Sequence, residues 1–347
     1  MNFPRMISFT ITNRCNLRCQ MCGQWSQEGY IANDKNALKQ KMELSDWKRL
    51  VNELYEHRIS SLLLRGGEPL MFPGIVELLE YVHSKGIFIS IDTNGTLLKK
   101  YAADILRIGD IHITISVDGP EQIHDQVRGV TGCFKTTEEG LLALHELELV
   151  SPSKISKSIC FTISPYSLAG LGEMPDVARH LGIQTLVIVP YNYIPQNLGH
   201  HYERELREHF GCTAFSWQGF HHEDSEIDFE EFQKQHQKYL ANLGELYSYP
   251  YLPLTENEFR DWFQDATIPV KSFSCSNAEN LIDIQPNGEA NFCVDTPDYS
   301  IGNVQEATIE NLWTSDRAKK FREYRKETRF GACYRCVSKY MSETVRL

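Results

Sequence analysis

The sequence predicts an α/β fold in which a partial (β/α)6 barrel precedes a smaller C-terminal α+β extension. Between about residues 6 and 190, six short β-rich runs alternate with segments of helical periodicity. The runs are almost continuously apolar, which is typical of parallel strands joined by right-handed crossovers and covered by helices. Six units are fewer than the eight of a closed barrel, so we expect an open one. We place the barrel at residues 1–190, a helical connecting segment at 191–270 and the extension at 271–347.

The first two units begin with the strand MISFTIT at residues 6–12. Residues 23–42 have the composition of a loop, and Ser45 is the predicted N-cap of the first helix. The predicted inward residues of this helix are Trp47, Leu50, Val51 and Leu54. The second strand, SLLLR, is followed by a helix with Pro73 in its first turn. The inward residues of that helix are Ile75, Leu78, Leu79 and Val82, and Gly86 ends it.

The other four units follow the same pattern. The third strand, IFISIDTNG, precedes a helix whose predicted inward residues are Leu97, Leu98, Tyr101, Ile105 and Leu106. The fourth strand, IHITISVDG, precedes a helix at about 134–149. The fifth strand, KSICFTIS, a helix near 171–181 and the sixth strand, IQTLVIVP, complete the predicted barrel.

The rest of the chain is predicted to be more helical. One helix is expected at about 228–246, with Phe232, Tyr239, Leu240 and Leu243 facing inward, and a second near 256–265. In the extension, the strand-like runs LIDIQ and ANFCV flank Pro-Asn-Gly at 286–288 and predict a β-hairpin. A helical region then follows Thr308, a predicted cap, with inward residues Ile309, Leu312, Trp313, Phe321 and Tyr324.

Charge and hydropathy narrow the classes of partner. The chain has 35 basic and 46 acidic residues and a formal charge of −11, which argues against nucleic acid or an anionic membrane as the main partner. No apolar run approaches the ~18 residues of a membrane span, and the N-terminus lacks a signal-peptide pattern. We therefore expect a cytoplasmic protein.

Seven of the ten cysteines fall into two groups, which in a reducing compartment indicates metal binding. The first group is Cys15, Cys19 and Cys22, with the spacing CxxxCxxC. Three thiolates are one ligand short of a closed zinc or iron–sulfur site, so one metal position would stay open to a reacting ligand. Two alternatives are a zinc site with a distant fourth ligand and three buried cysteines on an amphipathic helix.

The second group is Cys275, Cys293, Cys333 and Cys336. Four thiols suit tetrahedral zinc or a fully ligated [4Fe–4S] cluster, and the spacing alone does not choose between them. The other three cysteines, at positions 133, 160 and 212, are each predicted to be small buried side chains.

Glycine and polar motifs end the first four predicted strands. The cysteine loop follows strand 1, Gly66-Gly67-Glu68-Pro69 follows strand 2, DTNG follows strand 3 and SVDGP follows strand 4. In parallel sheets, ligands bind at the carboxyl ends of the strands. Because all four motifs lie at this one edge, we predict a ligand site there.

The CxxxCxxC loop together with GGEP resembles the radical S-adenosylmethionine (SAM) enzymes, and the resemblance covers about residues 6–190. It implies a [4Fe–4S] cluster on the first three cysteines whose open iron chelates the amino and carboxylate groups of SAM. One electron from the cluster then cleaves SAM into methionine and a 5′-deoxyadenosyl radical. The stretch SVDGPEQIHDQVRG is similar to one in a large subgroup of this family.

The resemblance also implies which residues contact SAM. Gly66, Gly67, Glu68 and Pro69 would bind the SAM amino group, with Glu68 as an acceptor. The candidate contacts of the SAM ribose and carboxylate groups are Asn94, Ser116 and Asp118. Arg128 is the candidate partner of the carboxylate. Met21 stands where the family commonly has an aromatic residue near the adenine, a space that its thioether or Trp25 can fill.

The C-terminal cysteines resemble the SPASM/twitch extension, an auxiliary-cluster domain of many radical SAM enzymes. A full SPASM domain has further cysteines after the CxxC pair, and VSKYMSETVRL has none. The resemblance therefore implies a single auxiliary [4Fe–4S] cluster that is fully ligated by protein and serves in electron transfer.

Together these resemblances imply a dehydrogenase-like radical SAM oxidoreductase. It would abstract a hydrogen atom from a small polar metabolite or a peptide residue, with a flavodoxin or ferredoxin as electron donor. Three alternatives stay open: an epimerase with Cys212, Cys160 or Cys133 as hydrogen donor, a maturase of ribosomal peptides, and a zinc-binding protein without chemistry.

Overall fold

The computed structural model of the protein describes residues 3–338, except Lys35, Gln40, Lys154 and residues 271–274. The described strands are β1 Met6–Thr12, β2 Ser61–Gly66, β3 Phe88–Thr93, β4 Ile111–Ser116, β5 Ser156–Ile163, β6 Thr185–Pro190, β7 Tyr247–Pro250, β8 Leu281–Ile284, β9 Glu289–Asn291 and β10 Gly302–Asn303. The described α-helices are α1 Leu44–Glu56, α2 Ile75–Ser84, α3 Leu98–Ile108, α4 Glu121–Arg128, α5 Cys133–Val150, α6 Met174–His180, α7 Gln196–Glu205, α8 Phe229–Asn242, α9 Glu256–Gln264, α10 Ser276–Asn280, α11 Ile309–Trp313 and α12 Asp316–Glu327.

All the described strands form one sheet, in the order β10-β9-β8-β1-β2-β3-β4-β5-β6-β7. Strands β1 to β6 pair in parallel with their sequence neighbours, which confirms the six predicted βα units. Strand β1 pairs with β2 and β8, whereas β6 pairs with β5 and β7, so β1 and β6 do not meet. The sheet is therefore open, and the predicted α/β fold class is confirmed.

Each strand divides its residues between two chemically different faces. In β4, Ile111, Ile113 and Ile115 are buried in the hydrophobic core. Side chains alternate along a strand, so Thr114 and Ser116 point to the opposite face of the sheet. That second face carries polar groups in several strands and, at its carboxyl end, forms the wall of the cavity described below.

The helical stripes predicted for the first two units are confirmed, although both helix starts differ from the prediction. All four inward residues of α1 and all four of α2 are buried, and each such large apolar side chain contributes roughly 1.5–3 kcal/mol. The N-cap of α1 is Glu43 and not Ser45, because the Glu43 N–H donates to the Asp46 carboxylate at 2.9 Å. Pro73 lies before α2, whose N-cap is Gly74 with φ +88°.

The structure also contains elements that the sequence did not predict. Helix α4 buries only His124, Val127 and Arg128, so just one of its three buried residues is apolar. Helix α7 and the short strand β7 lie in the connecting segment, and β7 extends the sheet beyond β6. In α8, Leu240 is exposed rather than inward, because the buried face is formed by Phe229, Phe232 and Tyr239.

The C-terminal extension joins the barrel sheet directly. The predicted hairpin is formed by β8 and β9, and β8 pairs in parallel with β1 from Met6–Leu281 to Phe9–Ile284. Thr308 caps α11 as predicted, accepting the Asn311 N–H at 3.2 Å. In the described part of the chain, no helix is long and apolar enough to cross a membrane.

Candidate functional site

A cavity of about 310 Å³ lies at the carboxyl ends of the parallel strands. This volume falls in the range of ligand pockets, ~300–1,000 Å³. The lining residues are Cys15, Leu17, Cys19, Met21, Cys22, Gly23, Gln24, Trp25, Tyr30, Arg65, Gly66, Gly67, Asp92, Thr93, Asn94, Ser116, Arg128, Thr162, Tyr191, Asn192, Phe220 and Asp295. The position agrees with the ligand site predicted from the strand-end motifs.

The first three cysteines lie on an irregular loop, not on a helix. The loop is held against the end of α4, because the Arg18 N–H donates to Arg128 O at 3.1 Å and the Gln20 N–H to Val127 O at 2.9 Å. The interpretation as a buried helical stripe is therefore wrong. All three thiols instead face one cavity.

Burial makes these thiols poor acids. It raises the pKa of Cys15 to about 11 and that of Cys22 to about 12, mainly through loss of solvation. A metal centre offsets this cost because the thiolate is the ligand form of cysteine. Three convergent thiols therefore fit an iron–sulfur cluster with one iron left open to a further ligand.

Arg128, the last residue of α4, places a buried positive charge in the cavity wall. Its Nη2 lies 2.6 Å from Asp118 Oδ2, and its Nη1 donates to Cys19 Sγ at 3.6 Å. Asp118 also accepts the Thr162 N–H at 3.2 Å, so the pair is anchored to β5. Arg128 Nε is buried without a hydrogen-bond partner among the described residues, which fits a ligand that carries a carboxylate.

The GGEP motif holds the end of β2 against the cysteine loop. A Cβ on Gly66 would lie 2.4 Å from Thr12 O, and one on Gly67 would lie 2.4 Å from Arg14 O. Only glycine, which has no Cβ, allows the neighbouring backbone to lie this close, and Gly66 also has φ +154°. Gly66 and Gly67 line the cavity.

Glu68 and Pro69 are buried behind the cavity and do not line it. The Glu68 carboxylate accepts the Thr93 hydroxyl at 2.7 Å and the Asn94 N–H at 2.8 Å. Burial raises its pKa to about 7, despite these hydrogen bonds. The side chain therefore ties the ends of β2 and β3 together.

Asn94, Ser116, Met21 and Trp25 all line the cavity. Asn94 Nδ2 donates to Asn16 Oδ1 at 2.9 Å, which links the end of β3 to the cysteine loop. Trp25 is buried and donates its indole N–H to Asn13 O at 2.8 Å. The structure thus brings both proposed adenine neighbours, Met21 and Trp25, to one site.

The second group of cysteines surrounds a separate cavity in the extension. Cys275 precedes α10, Cys293 follows β9, and Cys333 and Cys336 lie after α12. The full lining is Asn192, Cys275, Asn277, Phe292, Cys293, Val294, Asp295, Thr296, Phe321, Arg325, Ala332, Cys333, Cys336 and Ser338. Among the described residues, no three Cys, His, Asp or Glu side chains are grouped to hold a single metal ion.

Arg335, inside the CxxC pair, fastens this loop to the connecting segment. The side chain is 1% exposed, and its Nε donates to Trp262 O at 2.8 Å. Its Nη1 and Nη2 donate to Ile268 O at 2.9 Å and to Asp261 O at 2.8 Å. The guanidinium thus fixes Cys333 and Cys336 relative to α9.

Two residues, Asn192 and Asp295, line both cavities. Asp295 Oδ1 lies 3.5 Å from Arg65 Nη2, and its other oxygen accepts the Ser338 hydroxyl. Asn192 Oδ1 is buried without a hydrogen-bond partner in the part of the chain that the structure describes. The two cysteine sites are therefore separated by a wall that these side chains share.

Sequence reasoning named Asp92 only as part of the DTNG motif, and it missed Arg65, Asn192 and Asp295 as cavity residues. Arg65 directly precedes the GGEP motif, and Asp295 follows Cys293 by two positions. Those adjacencies were the available signal. Asn192 has no neighbouring motif in the sequence, because only folding brings it to the strand ends.

The three remaining cysteines occupy different surroundings. Cys160 pairs in register with Ser116 and lies on the same strand face as Thr162, which lines the first cavity. Cys133 donates to Asp125 Oδ1 at 3.2 Å and packs behind Cys19. Cys212 donates to Phe210 O at 3.5 Å and does not line either cysteine cavity.

Two family models match the chain. Residues 9–160 match the radical SAM superfamily, and residues 275–337 match SPASM, an iron–sulfur cluster-binding domain. These matches contain all seven grouped cysteines, and together with the two cavities they establish SAM and [4Fe–4S] clusters as the cofactors.

Two curated relatives match different lengths of the chain. An AdoMet-dependent heme synthase of Methanosarcina barkeri is 29% identical over 52% of this chain and 49% of its own length. The antilisterial bacteriocin subtilosin biosynthesis protein AlbA of Bacillus subtilis is 24% identical over 91% of this chain and 61% of its own length. The chain thus spans about half to three fifths of these two relatives.

Solved structures share the fold. Streptococcus suis SuiB bound to the precursor peptide SuiA has a TM-score of 0.66 at 16% identity. The match covers 97% of this chain and 72% of SuiB. At this identity the similarity is one of fold.

Proposed function

This chain belongs to the radical SAM superfamily and has a C-terminal SPASM domain, and from this premise we propose that it oxidises a residue of a peptide substrate. The reaction begins with abstraction of a hydrogen atom from a C–H bond. The resulting substrate radical then loses one electron and one proton, which completes a two-electron oxidation. A flavodoxin or ferredoxin is the proposed source of the electron that starts the reaction.

Residues around the first cavity would hold the cluster and SAM. We assign the cluster to Cys15, Cys19 and Cys22, and the SAM carboxylate to Arg128, whose buried Nε lacks a partner among the described residues. When bound, the cluster and SAM supply the 5′-deoxyadenosyl radical that abstracts the hydrogen atom.

Backbone groups at Gly66 and Gly67 are the proposed contacts of the SAM amino group. Asn94 and Ser116 are the proposed contacts of the ribose. Asp118 holds Arg128 in place, and Glu68 with Pro69 holds the strand ends, so these three residues position the site from behind.

The observation that carries the proposal is the wall shared by the two cysteine cavities. A substrate in the first cavity would touch Asn192 and Asp295, which also line the site of the auxiliary cluster. One electron from the substrate radical can then pass to that cluster over a short distance. Asp295 is the proposed acceptor of the proton at the same wall, because it lines both cavities.

A peptide is favoured over a small metabolite by the extent of the matches. AlbA, named as a bacteriocin biosynthesis protein, aligns with 91% of this chain. The heme synthase aligns with 52%. SuiB, which shares the fold, has been solved with a precursor peptide. A small polar metabolite stays the alternative substrate.

The test begins with anaerobic reconstitution of the full chain. With SAM and a reductant, we expect 5′-deoxyadenosine, and we expect iron and sulfide for two clusters. Zinc without sulfide would support the zinc-binding alternative, and absence of 5′-deoxyadenosine would contradict the proposal. With a peptide substrate, Asp295→Asn should preserve SAM cleavage and lower the yield of oxidised peptide.

The position of Cys160 favours an epimerase as the second candidate, because its strand face leads into the cavity. A thiol hydrogen exchanges with solvent, so an epimerised peptide made in D2O would gain one deuterium at the inverted carbon. An oxidised peptide would instead lose two hydrogen atoms. Mass spectrometry of the product therefore separates the two reactions.

A further inference from the structure

Arg325 is a buried cation in the wall of the four-cysteine cavity. It lies in the last turn of α12 and is 6% exposed. Among the described residues that line this cavity, the charged side chains apart from the cysteines are Arg325 and Asp295. Asp295 lies on the side shared with the first cavity, whereas Arg325 belongs to the four-cysteine cavity alone.

The guanidinium interacts electrostatically with all four thiols. Burial lowers the pKa of Arg325, and negative charge on Cys333, Cys275, Cys293 and Cys336 outweighs this effect and raises it. The guanidinium also donates to the Thr328 carbonyl, which holds it at the end of the helix. A buried cation of this kind is stable only beside negative charge.

Part of the cavity wall that contains Arg325 is apolar. Phe292, Phe321 and Ala332 line the same cavity, and the guanidinium carbon lies 5.4 Å from the centroid of the Phe330 ring. Charge interactions are stronger in such a medium than in water. A fixed positive charge here therefore acts strongly on any group that the four thiolates hold.

We propose that Arg325 raises the reduction potential of the auxiliary cluster and so makes that cluster an electron acceptor. Gain of one electron adds one negative charge to the cluster and its thiolates. A nearby fixed cation stabilises this more negative state more than the oxidised state. The acceptor direction rests on the proposed function, whereas the effect on the potential requires only the cluster.

The experiment is an EPR-monitored redox titration of the full chain with both clusters reconstituted. Addition of SAM identifies the signal of the first cluster, which leaves the other signal for the auxiliary cluster. Arg325→Gln and Arg325→Met should shift the auxiliary potential to more negative values. Arg325→Lys keeps the charge and should shift it less.

Arg322 provides the matched control on the same helix. Its guanidinium donates to Ala278 O and Trp313 O, both at 2.8 Å, and stacks 3.9 Å from the Trp313 ring centroid. Arg322→Gln removes the same charge from α12 at a position that does not line the cysteine cavity. We expect this variant to leave the auxiliary potential unchanged.

An unchanged potential in both neutral Arg325 variants would overturn the proposal, as would an equal shift in Arg322→Gln. If the neutral Arg325 variants lose the cluster, Asp295→Asn gives an independent measurement. Removing this negative charge from the same cavity should shift the potential upward, and no shift would refute charge control. SAM cleavage without peptide should persist in Arg325→Gln, so failure of the proposed function is measured separately.

Discussion

The two cysteine sites use the same ligand atom in contrasting environments. The barrel site has three thiols in a cavity of about 310 Å³, whose lining includes two arginines, two asparagines and two aspartates. The C-terminal site has four thiols and walls that include Phe292, Phe321 and Ala332. The missing fourth ligand and the polar wall make the first site suitable for a reacting ligand. The complete set makes the second suitable for electron transfer alone.

The two sites are also held differently. The barrel site is built on loops that follow parallel strands. Glycines allow these loops to pack closely, because a Cβ on Gly66 or Gly67 would lie 2.4 Å from a backbone oxygen of the cysteine loop or the end of β1. The C-terminal site combines a helix start, a hairpin and a turn, which Arg335 fastens to α9. We therefore expect substitutions in the first site to affect ligand binding first and those in the second to affect local stability first.

Removal of each cysteine group should have the largest effect and should separate the two sites. Replacing Cys15, Cys19 and Cys22 with alanine should abolish SAM cleavage. Replacing outer-shell partners of a metal site already costs ~10–100-fold, and loss of the ligands should cost more. Replacing Cys333 and Cys336 should preserve 5′-deoxyadenosine formation, measured by chromatography, while about half of the iron is lost. Equal loss of SAM cleavage in both variants would contradict the division of roles.

The Arg128–Asp118 pair should respond next most strongly. Arg128→Met leaves a buried carboxylate without its partner, which we expect to cost about 3–5 kcal/mol of stability. Adding Asp118→Asn should recover most of that stability without recovering SAM affinity, because the cation is still absent. Urea unfolding and equilibrium SAM binding measure the two quantities. Recovery of tight SAM binding in the double variant would rule out Arg128 as the carboxylate partner.

Arg335→Ala should destabilise the C-terminal site while sparing the barrel site. Several buried carbonyl groups would lose their donor, at about 1–3 kcal/mol for each unsatisfied group. Hydrogen exchange followed by mass spectrometry should show faster exchange around residues 256–268 and 331–338. Unchanged exchange in β1 to β4 serves as the internal control, and uniform acceleration across the chain would argue against a local role.

The smallest effect is a pH dependence from Glu68. Its pKa is raised from 4.5 to about 7 by burial, so the folded state binds a proton that the unfolded chain releases. The free energy of unfolding should therefore fall as the pH rises from about 4.5 to 7, by about 1–3 kcal/mol from this group. Glu68→Gln should flatten that part of the pH profile of the urea midpoint. An unchanged slope would show that another group is responsible.

Local patterns were sufficient for much of the architecture. The apolar periodicities of α1, α2 and β1 to β6, and the Pro-Asn-Gly hairpin, depend on neighbouring residues and are confirmed. The division of seven cysteines into a set of three and a set of four was also visible, because it is a matter of spacing. The helix start at Ser45 and the inward position of Leu240 were wrong, since each depended on which of several adjacent residues the rest of the fold would engage.

The connections between these parts could not be predicted. Helix α4 is eight residues long and only one of its three buried residues is apolar, because its buried end carries Arg128 against Asp118. Strand β7 has exposed side chains and ends in a proline, so its main partner is the backbone of β6. Both elements are stabilised by contacts with distant parts of the chain.

The sequence by itself determined the order of the βα units, the two cysteine groups and, through their motifs, the family to which the chain belongs. Only the tertiary structure decided that the C-terminal hairpin extends the barrel sheet beside β1. It also decided that Asn192 and Asp295 line both cavities and that Arg65 pairs with Asp295. The physical reason is the separation along the sequence over which each interaction acts. Helical periodicity, turns and ligand spacing act over a few residues, whereas Arg65 and Asp295 form an ion pair across 230 positions, which only the folded chain brings together.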